Sequence, residues 1–131
     1  MKNRGWHVIY YERKDGASPV YEFIESLSAR EKAKVLNWIE LLEKQGPQLP
    51  RPYADLLEDG IHELRIKITG EQIRVLYFFC YRDFIVLTHS FIKSTDKVPP
   101  AEIIKAKQCR SDFLSRYNEN DLRRLLHEDL S

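Results

Sequence analysis

Apolar residues change their spacing several times along the 131-residue chain, and each change marks an element. Residues 6–12 (WHVIYYE) are aromatic and β-branched and predict a first strand. Asp15 and Gly16 turn the chain. Ser18 as N-cap and Pro19 at the first helical position then open a short helix, with Val20, Phe23, Ile24 and Leu27 on one face. Ser28 and Glu31 have capping-box spacing and start a second helix that runs to about Gln45. Its inward residues are Val35, Leu36, Ile39 and Leu42, and Gly46-Pro47 stops it. Residues 46–60, with three prolines, read as a loop.

Three strand patterns follow. In residues 61–68, His62, Leu64, Ile66 and Ile68 share one face, and Glu63, Arg65 and Lys67 share the other. After the turn at Thr69, Gly70 and Glu71, residues 72–81 are apolar on both faces except at Arg74, the pattern of a central strand covered on both sides. Arg82 and Asp83 turn the chain into a further apolar strand, 84–92. Pro99 and Pro100 open a helix to about Tyr117, with Ile103, Ala106, Phe113, Leu114 and Tyr117 buried. Residues 118–131 set Leu122, Leu125, Leu126 and Leu130 at helical spacing. The predicted order is β-α-α-β-β-β-α with an extra C-terminal helix: an α+β domain over 1–117 and a helical extension over 118–131. Helices are expected on one face of a mostly antiparallel sheet, with the other face partly open.

Composition fits a folded chain, with 43% hydrophobic and 31% charged residues. The net charge of +1 says nothing about partners, but its distribution does. Residues 60–116 carry 10 Lys and Arg against 6 Asp and Glu, whereas 117–131 carry 2 against 4. The positive excess therefore lies on the predicted strands. Cys80 and Cys109 have neither disulfide-framework nor metal-site spacing and read as reduced core thiols. The first residues, Met1 to Trp6, hold no signal-like apolar stretch, and the apolar run 75–81 is too short to span a membrane. The expected setting is the cytoplasm, without a membrane.

Arg65 and Lys67 project together, Arg74 lies just across the turn, and Lys93 ends the last strand ahead of Lys97. Such cations suit phosphoryl oxygens and would stabilise charge developing on phosphorus. The ordinary alternative is a solvated charged face. Arg74 is the exception, because a guanidinium in so apolar a strand must be paired or face a cavity. His89 shares parity with Leu87, Phe91 and Lys93 and is a candidate general base. Glu63 is a second proton-transfer candidate, flanked by Arg65 and Lys67. The four histidines show no metal-ligand spacing, and no cofactor motif occurs.

Residues 57–65 (LEDGIHELR), 73–77 (IRVLY), 89–95 (HSFIKST) and 99–106 (PPAEIIKA) together resemble the RelE/HigB-like toxins of toxin–antitoxin pairs, in their phage-derived branch. The likeness runs from residue 6 to about 117. It implies a compact RelE-like fold, an antitoxin partner (a helix-turn-helix protein), and cleavage of mRNA on the ribosome by attack of a ribose 2′-OH on the adjacent phosphate. Arg65, Lys67 and Lys97 would then contact the RNA, and Arg65, Arg74 and Lys93 would serve catalysis. The resemblance also leaves room for a gyrase poison of the same fold, or a non-catalytic module that partners a DNA-binding antitoxin. The acidic tail reads as a helix packed on its own domain, as the contact of a homodimer, or as a cover for the basic cleft.

Overall fold

The computed structural model describes residues 5–130, the side chains of 128–130 excepted. Met1 to Arg4, the Leu130 side chain of the predicted tail stripe, and Ser131 lie outside the described residues. The elements are β1 (His7–Tyr10), α1 (Pro19–Glu25), α2 (Ala29–Gln45), β2 (Ala54–Glu58), β3 (Ile61–Ile68), β4 (Glu71–Cys80), β5 (Phe84–Lys93), α3 (Pro100–Arg116) and α4 (Glu119–Leu130). One five-stranded sheet has the order β1-β5-β4-β3-β2. Only β1 runs parallel to its neighbour, so the fold is α+β with a mostly antiparallel sheet, as expected. No helix among the described residues is long and apolar enough to cross a membrane.

Local chemistry explains most boundaries. Ser28 Oγ accepts the Glu31 N–H (3.2 Å) and Glu31 Oε1 accepts the Ser28 N–H (3.1 Å), which closes the expected box at the start of α2. Ser18 has extended N-cap geometry, but its hydroxyl is buried without a hydrogen-bond partner. The start of α1 therefore relies on Pro19. The tight turns between β3 and β4 and between β4 and β5 both use positive φ, at Thr69 and Gly70 and at Tyr81 and Arg82.

Both faces of the sheet are used, which corrects the expectation of helices on one side only. Val20, Ile24, Val35, Ile39 and Leu42 from α1 and α2 pack on Leu64, Ile66, Ile73, Val75 and Leu87. On the opposite face, Ala106, Cys109 and Phe113 of α3 and Leu122 of α4 pack on Ile61, Leu76, Phe78, Phe84 and Val86. The central strand β4 feeds both clusters, as its apolar run requires. Two predicted core leucines lie elsewhere: Leu36 is 42% and Leu114 41% exposed. Each stands one residue, about 100° of helix, off the buried stripe. Cys109 fills the stripe of α3 instead, between Ala106 and Phe113.

The segment expected to be loop contains β2, paired antiparallel to β3 from Ala54–Leu64 to Glu58–Ile61. β2 reaches no further than Leu64; the Arg65 N–H then donates to the Tyr53 carbonyl (2.8 Å). Beyond that bond, no strand among the described residues lies beside this edge of β3.

Candidate functional site

Alternation along β3 turns Glu63, Arg65 and Lys67 to the face that carries α3, and the β3–β4 register sets Arg65 directly opposite Arg74 and Lys67 opposite Gln72. In the next strand Lys93 stands beside Gln72 and Phe91 beside Arg74. Two guanidinium groups on facing positions repel one another, so a pair of this kind needs a counter-charge. Glu63 supplies it. Arg65 Nε donates to Glu63 Oε2 at 3.0 Å, and Arg74 Nε lies 2.9 Å from Glu63 Oε1. The second contact is an ion pair buried on both sides.

Glu63 is only 2% exposed, so the face read as solvated is closed at this point. Arg74 is 5% exposed and also donates to Gln72 Oε1 (2.8 Å) and to the Ile73 carbonyl (3.3 Å). Burial lowers its pKa, while the nearby Glu63 charge pushes the other way; an arginine so placed stays cationic. The expectation that Arg74 must be paired is met by Glu63, and the same side chain also lines a cleft.

Arg65 reaches on to Asp55 Oδ2 (3.2 Å), which β2 brings alongside, and Arg51 Nε donates to Asp55 Oδ1 (2.9 Å). Burial alone would raise the Asp55 pKa. The Arg51 hydrogen bond and charge, the Leu56 N–H and Arg65 outweigh it and hold the carboxyl below its ordinary range.

A cleft of about 410 Å³ opens over this network, and Arg65, Arg74, Lys93 and Lys97 line it together with Asp55, Glu63 and Asp96. Its border comes from the loop before α3 and from Ile103. A second hollow of about 400 Å³ adjoins it, sharing Arg65 and Arg74 and adding Lys67, Lys34, Trp38 and Tyr53. Among the described residues, no ion pair holds the ammonium groups of Lys34, Lys67, Lys93 or Lys97. The arginines are thus fixed by carboxylates, whereas the lysines around them are free to meet an anion.

His89 stands apart from this cleft. A register shift between Leu76 and Tyr77 leaves Thr88 as an extra residue in β5. His89 therefore faces α3, while Leu87 joins the α1–α2 core, and the shared parity expected of the two is broken. Its Nε2 lies 2.9 Å from Glu102 Oε1 and its Nδ1 3.2 Å from Thr88 Oγ1. It lines a smaller hollow of about 270 Å³ with Arg13, Lys105 and Cys109. Burial lowers the His89 pKa against the opposing pull of Glu102. Neither cysteine shows activation, since burial raises both thiols, Cys80 to about 11.

Three charged lining residues escaped the sequence. Asp55 lies in the unrecognised strand, Lys34 reads as an ordinary helix-surface cation, and Asp96 as a loop residue. The described side chains of the tail, residues 118–127, do not line the cleft. Leu122 joins the α3 core, and Arg123 ties α4 to Asp83 (2.7 Å) and to the Tyr81 carbonyl (3.1 Å). Tyr117 likewise lies against Phe113, in a separate apolar hollow between β1 and α4. Among the described residues, no group of three or more His, Cys, Asp or Glu side chains is arranged to hold a metal ion.

Residues 22–111 match the family model of phage-derived Gp49-like proteins (DUF891), more than half of the chain. No curated protein matches this sequence.

Proposed function

The chain belongs to the phage-derived Gp49-like family, associated with toxin–antitoxin pairs within the RelE/ParE-like superfamily, and from that premise we propose that it is a toxin that cleaves mRNA on the ribosome. The observation that carries this reading is the single cleft shared by Arg65, Arg74, Lys93 and Lys97. Attack of a ribose 2′-oxygen, whose proton passes to a base, forms the new P–O bond as the bond from phosphorus to the 5′-oxygen breaks, and the leaving 5′-oxygen takes up a proton. Negative charge accumulates on the phosphoryl oxygens between these events, where preorganised cations are most effective. Arg65 and Lys93 would meet that charge, and Lys67 and Lys97 would hold the flanking phosphates. Arg74 and Glu63 would form the buried floor that fixes Arg65. Of the two proton-transfer candidates, Glu63 lines the cleft, and His89 lines a different hollow and meets Glu102.

An antitoxin follows from the family, and a helix-turn-helix partner is the form we propose. Expression should arrest growth, and primer extension should find cuts within translated codons. Arg65→Ala combined with Lys93→Ala should abolish the cuts while the protein remains folded. The carboxylate pairing of both arginines favours a second reading, a poison of gyrase acting by protein contact. In that case the double variant would still arrest growth, and no mRNA would be cut.

A further inference from the structure

We propose that the hollow beside the cation cleft is a nucleobase-stacking subsite for single-stranded RNA, with Tyr53 as its platform; this rests on the RNA reading above. The hollow lies where β2 has ended and α2 comes round the free edge of β3. Tyr53 and Trp38 pack together there, with ring centroids 5.2 Å apart and planes tilted by 32°. Trp38 belongs to the packing of the α1–α2 core. Tyr53 is 44% exposed although one side of it rests on Trp38, so much of the remaining ring surface faces solvent.

Its backbone is held from two directions. The Tyr53 N–H donates to the Pro50 carbonyl (2.9 Å), and its own carbonyl accepts the Arg65 N–H (2.8 Å). The platform is therefore bonded directly to the residue that carries the cleft's principal guanidinium. Lys34, one helical turn before Trp38, and Lys67 on β3 flank the rings, and neither is held in an ion pair among the described residues. An aromatic face edged by free ammonium groups suits a base with its two neighbouring phosphates. A chain lying over Arg65 and Lys93 continues into this hollow because Arg65 and Arg74 line both. The charge and the open ring favour a nucleic acid strand here over a protein segment.

The test uses the full chain and a short 2′-O-methylated RNA, which cannot be cut, beside an abasic strand of equal length. Tyr53→Ala should weaken binding of the base-bearing strand on the order of tenfold and leave the abasic strand unchanged. Tyr53→Phe should restore the loss, and Lys67→Ala should weaken both strands. Equal effects of Tyr53→Ala on the two strands, or none on either, would overturn the stacking subsite while leaving the RNA reading in place. If the wild-type protein binds no RNA at low salt, the stacking subsite fails, while the primer-extension test still decides the cleavage reading.

Discussion

One carboxylate decides whether the two arginines at the centre of the site can coexist. Glu63 is buried between Arg65 and Arg74, which face each other across the β3–β4 ladder. Removing one partner of a buried ion pair leaves an uncompensated charge, whereas replacing both partners with apolar groups often costs little. Glu63→Ala should therefore lower the unfolding free energy by about 3–5 kcal/mol in urea titrations. Glu63→Leu combined with Arg74→Leu should lose much less than the sum of the single changes. Additive losses would show that the contact is incidental. His89 gives a second test. Burial depresses its folded pKa below the unfolded value, so the unfolded chain takes up the proton first. The contribution of neutral His89 is complete above about pH 6.5 and is lost as pH falls through that value toward the folded pKa. His62 is shifted in the same direction by the same cause and adds to the slope. Stability should fall as pH drops through about 6.5, and His89→Gln should remove part of that fall. An unchanged pH profile in the variant would show that His89 titrates alike in both states.

Periodicity gave α2, β3 and β4 nearly to the residue, because long alternating or helical patterns leave few competing readings. It failed where the pattern depends on a partner. Ala54–Glu58 pairs with β3 through backbone groups and buries only Ala54, so its side chains carry little strand signal. The Thr88 bulge could not be read either, since Phe84 to Leu87 are apolar on both faces and set no parity for the residues that follow. Gly46 shows what lies beneath a simple stop signal. At φ +54° it caps α2, and a Cβ built there would stand 2.2 Å from the Trp6 indole nitrogen. The Trp6 backbone N–H donates to the Glu43 carbonyl (2.8 Å), which holds the Trp6 backbone at the end of the helix. Gly70, at φ +84°, has nothing within 4 Å of such a Cβ. Gly70→Ala should then cost only the left-handed strain, about 1–2 kcal/mol. Gly46→Ala should cost clearly more, because Trp6 must also move. Equal shifts in thermal unfolding of the two variants would mean that the Trp6 contact contributes nothing.

The site exists because the helices divide the second face of the sheet unequally. α3 and α4 cover the half built on Leu76, Phe78, Phe84 and Val86, and the start of α3 only borders the half built on Arg65, Arg74 and Lys93. Strand parity made Arg65, Lys67 and Lys93 legible as one group. Glu63 meets Arg65 on the face that alternation gives, but its contact to Arg74 and the Asp55 pairing come from strand registers that no local spacing encodes, and Lys34 and Tyr53 arrive only because β2 stops short. The division of labour between the two kinds of cation has a measurable consequence. Each phosphate neutralised on a single strand steepens the dependence of log affinity on log salt by about 0.7. A lysine without an acidic neighbour contributes that full increment, whereas Arg65 is already largely compensated by Glu63 and Asp55. Lys67→Ala and Lys93→Ala should each flatten the slope for single-stranded RNA by about 0.7. Arg65→Ala should lower affinity with a smaller change in slope, since it removes hydrogen-bond geometry more than net charge. A slope that stays constant across the lysine variants would mean that the strand runs over some other surface.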